Sequence, residues 1–354
     1  MPFIYTGLGK LFQSEEALTL FKKTIIRIFY SCDGLRGFAL NPAGFLCSSQ
    51  INFFQTLGRI VTEKNKQKRL QAIGSSTQKV SIILPVLNSE NTLQRAIESI
   101  QSQSYPHWEL LIIDDGSTDK TKEIVSQMAS EDSRIRLYQN KKNQGVAYAR
   151  NVGLHYAAGD YITFHDADDT SHVERLEYQV AELLSNTNTK VSIFQYVRVD
   201  GKGNTFIING KEKWNRVSGM MFRKNIIDKI GYFKPLKISE DSEYYERIIA
   251  TFGKKSRKII CKTLYYALFS PDSLLFSNAN VSINGKSVDY KIHDKELLIL
   301  EAFRAEHKRI RAGELAPYQS FFLDEDVTKY LGGSGINSFA LISLVGNKII
   351  SRLF

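Results

Sequence analysis

Short apolar runs alternate with helical patterns in the first part of the readable sequence. Val80–Val86, apolar except for Ser81, and the continuous apolar run Leu110–Ile113 are typical of strands that are buried on both faces. Between them lies a helical spacing of apolar residues, at Leu93, Ala96, Ile97 and Ile100. A further helix through Ile124 and a strand near Arg134–Tyr138 continue the alternation. This order predicts an α/β fold with a mostly parallel sheet that carries helices on both faces.

Carboxylates are concentrated where two of these strands end. Asp166, Asp168 and Asp169 follow the apolar run Tyr161–Phe164, and Asp115 follows the second predicted strand. The carboxyl ends of parallel strands form the edge at which open α/β sheets bind ligands, so we expect these side chains to face a common ligand. Such a cluster is unfavourable unless a cation neutralises it. A divalent metal that carries a diphosphate would do so, and a solvated acidic turn is the alternative.

Six segments resemble glycosyltransferase family 2, in the family's order and over roughly residues 79–273. They are Val80–Asn88, Ile113–Asp119, Asn143–Gly153, Asp166–Asp169, Ser218–Arg223 and Ser239–Asp241. The resemblance implies the GT-A fold, which is a Rossmann-like nucleotide-sugar-binding fold, and an inverting sugar transfer. Asp166–Asp169 is similar to the family's DxD metal motif.

The resemblance assigns the nucleotide pocket to Pro85, Val86 and Asn88, with Asp115 accepting a hydrogen bond from the uracil N–H. A carboxylate suits that task because it offers only acceptors. A helix cap or an Asx-turn is the structural alternative for Asp115. Glu90 is expected either to contact the nucleotide or to be an exposed carboxylate in the first turn of a helix.

Arg150 and Asn151 are placed by the resemblance near the nucleotide and the DxD loop. Arg150 would pair with a phosphate or hold the carboxylate cluster, and an ordinary salt bridge is the alternative. Asp166 is assigned to the ribose and the metal, and Asp168 to the metal, which would be Mn²⁺ or Mg²⁺. His165 is expected to be a structural neighbour of the motif.

Asp241 matches the family's general base, which would take the proton of the acceptor hydroxyl as it attacks the anomeric carbon. Glu240 is the fallback base. The structural alternative is an acidic start of the following helix, stabilised by the helix dipole.

Two departures from the family pattern bear on function. The late segment Tyr265–Ser273 lacks the arginine and histidine that family members often use near the diphosphate. The chain also lacks the Gln-x-x-Arg-Trp sequence of processive polysaccharide synthases. We therefore expect single-sugar transfer, and either another group assists the leaving phosphates or the metal binds more weakly.

Charge is concentrated at the beginning of the chain. Residues 1–79 contain eleven basic and four acidic side chains, which account for +7 of the total net charge of +10. This charge predicts contact with an anionic membrane surface or a lipid-linked acceptor. A solvated appendage or the arm of a homo-oligomer is the alternative, and no nucleic-acid-binding motif accompanies the charge.

Length and cysteine content complete the expectations. The chain has 354 residues, no apolar run of about 20 residues that could span a bilayer, and three scattered cysteines, which suits the cytoplasm or the inner face of the plasma membrane. We expect a basic helical N-terminal extension (1–78) with a helix at Ala17–Tyr30, a GT-A catalytic domain (79–275) and a mainly helical C-terminal extension (276–354). In the C-terminal extension, Lys295–Arg311 has the pattern of an amphipathic helix with apolar contacts from Leu297, Leu298, Ile299, Leu300 and Phe303, and Phe339–Ile350 suits a packed helix or an interfacial anchor.

The sequence therefore predicts a metal-dependent glycosyltransferase that uses a nucleotide-sugar, by family precedent a UDP-sugar. The acceptor would be a hydroxyl of a saccharide or glycolipid in bacterial surface polysaccharide synthesis. The alternatives are a catalytically silent sugar-nucleotide-binding protein of the same fold and a nucleotidyltransferase.

Overall fold

The computed structural model describes residue 63, residues 65–321, residue 323 and residues 328–330. The chain divides into two compact units, Met1–Gly74 and Ser75–Phe354. In the first unit a helix covers residues 65–73. The helices predicted at Ala17–Tyr30 and Phe339–Ile350 lie outside the described residues.

The second unit is built on one large sheet. Its described strands are β1 (Val80–Val86), β2 (Trp108–Asp114), β3 (Ile135–Gln139), β4 (Tyr161–Phe164), β5 (Thr170–Ser171), β6 (Val191–Val199), β7 (Thr205–Ile208), β8 (Lys213–Arg223), β9 (Arg257–Leu268), β10 (Ala279–Asn284), β11 (Ser287–Ile292) and β12 (Thr328–Tyr330).

Eight α-helices accompany these strands within the described part of the second unit. They are α1 (Leu93–Gln101), α2 (Thr121–Glu131), α3 (Val146–Tyr156), α4 (Arg175–Ser185), α5 (Ile227–Ile230), α6 (Glu240–Phe252), α7 (Leu274–Ser277) and α8 (Asp294–Ala312). Two 3₁₀ turns, Lys224–Ile226 and Lys254–Ser256, precede α5 and β9.

The centre of the sheet is parallel, in the order β3-β2-β1-β4. An antiparallel part follows, in which β8 pairs with β4 and β6 pairs with β8, while β9 runs parallel to β6. The hairpin β10–β11 joins the sheet through β7. The predicted α/β fold with a mostly parallel core is therefore confirmed, and residues 276–321 contribute this hairpin as well as α8.

Helices cover both faces of the parallel core. Every residue of β2 is buried, and alternate residues of a strand point to opposite faces. On one face α3 packs closely, because Gly153 leaves room for Ile83 of β1. Helix α1 buries the four apolar residues whose spacing predicted it. The carboxyl ends of β1, β2, β3 and β4 lie along one edge of the sheet, because these strands are parallel.

Helix α8 lies against α6, the helix that begins at Glu240. Glu296, Phe303 and His307 are the buried residues of α8. The prediction that Leu297 and Leu298 supply apolar contacts is wrong, because these side chains are 43% and 65% exposed. Within the described ranges, no helix is long and apolar enough to cross a membrane.

Candidate active site at the carboxyl edge of the sheet

The loops that follow β1 and β2 are joined to each other by Asn88 and Glu90. The Asn88 side-chain oxygen accepts the N–H of Thr118 at 2.9 Å. Glu90 donates its N–H to Asp119 at 3.0 Å, and its carboxylate accepts the N–H of Lys120 at 3.0 Å. Asn88 has a left-handed backbone, with φ of 49°. Both residues thus lie at the predicted nucleotide edge, where they fix the shape of the loops.

Asp115 is buried directly after β2 and holds the turn that begins α3. Its carboxylate accepts hydrogen bonds from Asn140 Nδ2 at 2.7 Å, from the N–H of Gly145 at 2.7 Å and from the N–H of Gln144 at 3.0 Å. Burial raises the pKa of Asp115 in spite of these donors. The Asp115 carboxylate is therefore engaged by the chain itself, and its contact with a uracil ring stays a prediction.

Pro85 and Val86 form the end of β1 beside this turn. The carbonyl of Val86 accepts the N–H of Asp115 at 2.9 Å, so that the ends of β1 and β2 are fixed together. Val86 is buried, while Pro85 is half-buried at the same edge. Their contact with a nucleotide stays a prediction.

Arg216 neutralises two carboxylates of the DxD loop. Its Nη2 donates to Asp169 at 2.7 Å and also contacts Asp166. Asp169 accepts the N–H of Leu268 at 2.8 Å as well, so the end of β9 is attached to the same loop. The sequence did not single out Arg216, because its partners lie 47 and 50 positions earlier in the chain.

Arg150 connects the DxD loop to the predicted base. It is 4% exposed, donates to Asp166 at 3.4 Å and pairs with Glu240. Burial alone would lower the pKa of Arg150, but the charges of Glu240 and Asp166 raise it. Burial raises the pKa of Glu240, with Asp241 acting in the same direction and Arg150 opposing both.

Asp241 lies beside this buried pair, at the first turn of α6. Its Oδ1 accepts the N–H of Ser242 at 2.6 Å, and its charge acts on both Arg150 and Glu240. The chain therefore brings Asp166, Arg150, Glu240 and Asp241 into one contiguous group. Asp241 is half-buried, so that its carboxylate can be reached from solvent.

Asp168 differs from its neighbours because, within the described part of the chain, its carboxylate forms no ion pair and accepts no hydrogen bond from another residue. Burial and the neighbouring charge of Asp166 raise its pKa. An added cation would relieve both effects. No group of three or more His, Cys, Asp or Glu side chains that could hold a metal is found among the described residues. The site fits an ion that takes one or two carboxylates from the protein and its remaining ligands from substrate phosphates and water.

Asn151 serves a different contact from the one predicted. Its side-chain oxygen accepts the N–H of Phe233 at 2.8 Å, and its side-chain nitrogen donates to the carbonyl of Phe233 at 2.9 Å. Asn151 thus holds the segment that leads to α6 against α3, one residue away from Arg150. Its contact with a nucleotide stays a prediction.

The late segment contributes a tyrosine to the site. Tyr265 Oη accepts the N–H of Asp166 at 3.1 Å, and its ring lies 5.0 Å from that of His165. Burial and the charge of Arg175 lower the pKa of His165 to about 3, so the ring is neutral and Nδ1 donates to the Asp166 carbonyl at 2.8 Å. Tyr265 and His165 thus both contact the backbone of Asp166 in the DxD loop, and His165 is a structural neighbour of the motif, as expected.

The amino-acid sequence was compared with protein-family models and with curated proteins. Residues 81–239 match the model of the family described as Glycosyl transferase family 2. An uncharacterized glycosyltransferase of Haemophilus influenzae is 49% identical over 107 residues, which are 30% of this chain and 43% of that protein. The Escherichia coli UDP-Glc:alpha-D-GlcNAc-diphosphoundecaprenol beta-1,3-glucosyltransferase WfgD is 44% identical over 107 residues, which are 30% of this chain and 42% of that protein.

Among solved structures, Staphylococcus aureus TarS 1–349 in complex with UDP-GlcNAc matches with a TM-score of 0.48 and 22% identity. That match covers 67% of this chain and 71% of the other. The alignments with the two curated relatives span less than half of each relative's length.

Proposed function

Because residues 81–239 belong to glycosyltransferase family 2, we propose that this chain transfers one sugar from a nucleotide-sugar to a hydroxyl of a saccharide or lipid-linked acceptor. The donor is a UDP-sugar, as in the name of the Escherichia coli relative, whose acceptor is a lipid diphosphate. The reaction belongs to the synthesis of a bacterial surface polysaccharide, and the protein acts at the cytoplasmic face of the membrane.

The observation that carries this proposal is the position of Arg150 between Asp166 and Glu240. It joins the loop assigned to the donor phosphates to the turn that bears Asp241. Asp241 takes the proton of the acceptor hydroxyl as that oxygen attacks the anomeric carbon. The nucleoside diphosphate leaves from the opposite face of the sugar, so the configuration at the anomeric carbon is inverted.

The remaining residues bind and orient the donor. Pro85, Val86 and Asn88 form the wall beside the base, and Asp115 shapes the turn that meets it. Asp168, with Asp166, would hold Mn²⁺ or Mg²⁺, which supplies positive charge to the departing diphosphate. Arg150 and Arg216 keep Asp166 ionised, because their charges outweigh the effect of burial and lower its pKa.

The donor is tested with the purified full chain and a panel of sugar nucleotides in the presence of Mn²⁺. We expect one of them to raise the melting temperature and to be cleaved slowly to the nucleoside diphosphate and free sugar. Stabilisation without any cleavage or transfer would favour a silent binding protein. Release of pyrophosphate from a nucleoside triphosphate would favour a nucleotidyltransferase.

The base is tested by Asp241→Asn, with the exposed Asp228→Asn as the matched control. Loss of a general base lowers the rate by about 10²- to 10⁴-fold. We expect this loss in Asp241→Asn with unchanged donor binding, and full activity in the control. An active Asp241→Asn protein would exclude Asp241 as the base.

A further inference from the structure

Arg198, near the end of β6, is a buried cation without a counter-ion. It is 8% exposed, and among the described residues its guanidinium forms no ion pair and no hydrogen bond, with Nε buried. Arg216 on the neighbouring strand β8 contacts two carboxylates in the same part of the sheet. A buried charge that is left unpaired destabilises a fold, so it is expected to have a partner in the working protein.

Two aromatic rings lie near the Arg198 guanidinium. Its central carbon lies 4.9 Å from the centre of the Phe276 ring and 6.0 Å from that of Tyr196. The Tyr196 ring also lies 5.1 Å from the guanidinium carbon of Arg216. Tyr290 packs on Phe276 at 5.5 Å. The rings hold Arg198 in place but do not neutralise its charge.

Two other polar groups nearby are buried without a partner. Trp214 Nε1 and Ser273 Oγ lack hydrogen bonds within the described part of the chain, as does Arg198 Nε. Trp214 is paired across the strands with Tyr196, and the carbonyl of Ser273 accepts the N–H of Phe276 at 2.9 Å. All three groups can donate a hydrogen bond, and Arg198 also carries a positive charge. Three such donors suit a ligand that is anionic and rich in oxygen acceptors.

This group adjoins the proposed reaction site through Tyr196, because that ring also contacts Arg216, which pairs with Asp166 and Asp169. The charge of Arg198 also acts on Asp168 and on Tyr290 of β11. Phe276 and Tyr290 lie outside residues 81–239, which match the family model, and beyond residue 273, where the resemblance of the sequence ends. Residues outside the matched segment can differ among relatives, so we expect them to contact the substrate that differs, which is the acceptor.

We infer that Arg198 binds an anionic group of the acceptor, either a phosphate or a carboxylate, close to the hydroxyl that receives the sugar. This inference rests on the proposed function, because it assumes that Asp168 marks the donor side. A phosphate would come from a sugar phosphate or a lipid diphosphate, and a carboxylate from a uronic acid. A guanidinium binds both through paired hydrogen bonds.

Binding is tested with the full chain saturated with Mn²⁺ and the nucleoside diphosphate that binds best, so that the donor phosphate site is filled. The probes are N-acetylglucosamine 1-phosphate, glucuronic acid and neutral N-acetylglucosamine, titrated by ligand-observed NMR. We expect at least one anionic probe to bind about tenfold more tightly than the neutral sugar. The anionic probe that binds identifies the phosphate or the carboxylate as the source.

Arg198→Met should lower the affinity of that probe to the level of the neutral sugar, and Arg198→Lys should restore part of it. Arg304→Gln is the matched control, because it removes one positive charge at an exposed pair with Glu246. Weaker binding of the nucleoside diphosphate in Arg198→Met, with unchanged anionic sugars, would place Arg198 on the donor side and overturn the inference. Failure of the wild type to bind any nucleoside diphosphate would instead contradict the proposed function.

Stability separates a binding role from a structural one. A buried, unpaired cation makes the ligand-free protein less stable, so Arg198→Met should melt at an equal or higher temperature than the wild type. A clear drop in melting temperature in Arg198→Met would show that the charge stabilises the fold and would overturn the inference.

Discussion

Ser239 donates its hydroxyl to Glu296 at 2.9 Å and thereby attaches the start of α6 to α8. Ser239 has a left-handed backbone, with φ of 59°, which a residue other than glycine rarely adopts without support. It immediately precedes Glu240 and Asp241. Glu296 is 8% exposed, so this contact is largely shielded from water. An element outside the matched family segment therefore fixes the turn that carries the proposed base.

Replacing Glu296 should impair catalysis more than donor binding. Without its hydrogen bond, Ser239 can relax and Asp241 moves away from the acceptor hydroxyl. A displacement of about 1 Å can lower a rate by about 100-fold, so we expect Glu296→Ala to lower kcat by about 10- to 100-fold. The KM for the donor should stay within about twofold. Steady-state kinetics with the identified donor measures both.

The control for this prediction is Glu301→Ala, an exposed glutamate on the same helix. It removes the same charge and should leave kcat unchanged. The kcat of Ser239→Gly should lie between those of Glu296→Ala and Glu301→Ala, because glycine adopts the left-handed backbone freely but lacks the hydroxyl. Equal kcat in Glu296→Ala and the wild type would contradict a positioning role.

Asp168 should determine the dependence on metal. Its carboxylate is the member of the cluster without an arginine partner, whereas Arg216 contacts Asp166 and Asp169. Asp168→Asn should therefore require a much higher Mn²⁺ concentration for activity and lose most activity at saturation. Metal titration after treatment with a chelator measures this change. Full activity of the wild type after complete chelation would exclude the predicted role of the ion.

The sequence predicted the parallel core because each of its elements is encoded locally. The apolar run Val80–Val86 became β1 with the same bounds, and the helical spacing from Leu93 to Ile100 became α1. Arg150 contacts Asp166 of the DxD loop, and it also pairs with Glu240. Local pattern and short connections sufficed for this half of the fold.

The other half could not be predicted because its contacts join distant parts of the chain. Arg216 reaches the DxD loop only through the antiparallel pairing of β8 with β4 and with β6, which has an irregular register. Glu296 meets Ser239 across 57 positions. Arg198 looked like any charged residue of a strand, and its burial became visible only when β11 and α7 were placed beside it.

Gly153 is a packing requirement of the fold. A Cβ added at this position would lie 2.4 Å from Cγ2 of Ile83, a branched side chain on β1 that has little freedom to move. Gly153→Ala should therefore lower the free energy of unfolding by about 1–3 kcal/mol. Urea denaturation measures it. Gly201→Ala is the control, because a Cβ there would meet no atom within 4 Å.

The double variant Gly153→Ala/Ile83→Ala tests the cause. If the clash is the cause, the double variant should lose less free energy of unfolding than the two single variants together. Additive losses would contradict it.

Glu243 is the buried centre of the contact between α6 and α8. It is fully buried, with Arg247 at 3.0 Å, His307 Nε2 at 3.2 Å and Lys234 at 3.8 Å. Burial alone would raise the pKa of Glu243, but the hydrogen bond with His307 and the charges of Arg247 and Lys234 hold it below the usual 4.5. Its ionised form therefore stabilises the folded state above pH 4.5.

Glu243→Gln should remove this stabilisation and leave Arg247 without its carboxylate. Breaking a buried pair lowers the free energy of unfolding by about 3–5 kcal/mol, so we expect that loss at pH 7. Because the pKa of Glu243 is lowered in the folded state, its contribution to the free energy of unfolding decreases as the pH falls below 4.5. The difference in free energy of unfolding between the wild type and Glu243→Gln should therefore become smaller there. Urea denaturation from pH 7 to pH 3 measures this difference.

Glu246→Gln is the control, at an exposed pair with Arg304, and it should change the free energy of unfolding by less than about 1 kcal/mol at every pH. A difference between wild type and Glu243→Gln that is constant over this range would refute the assignment.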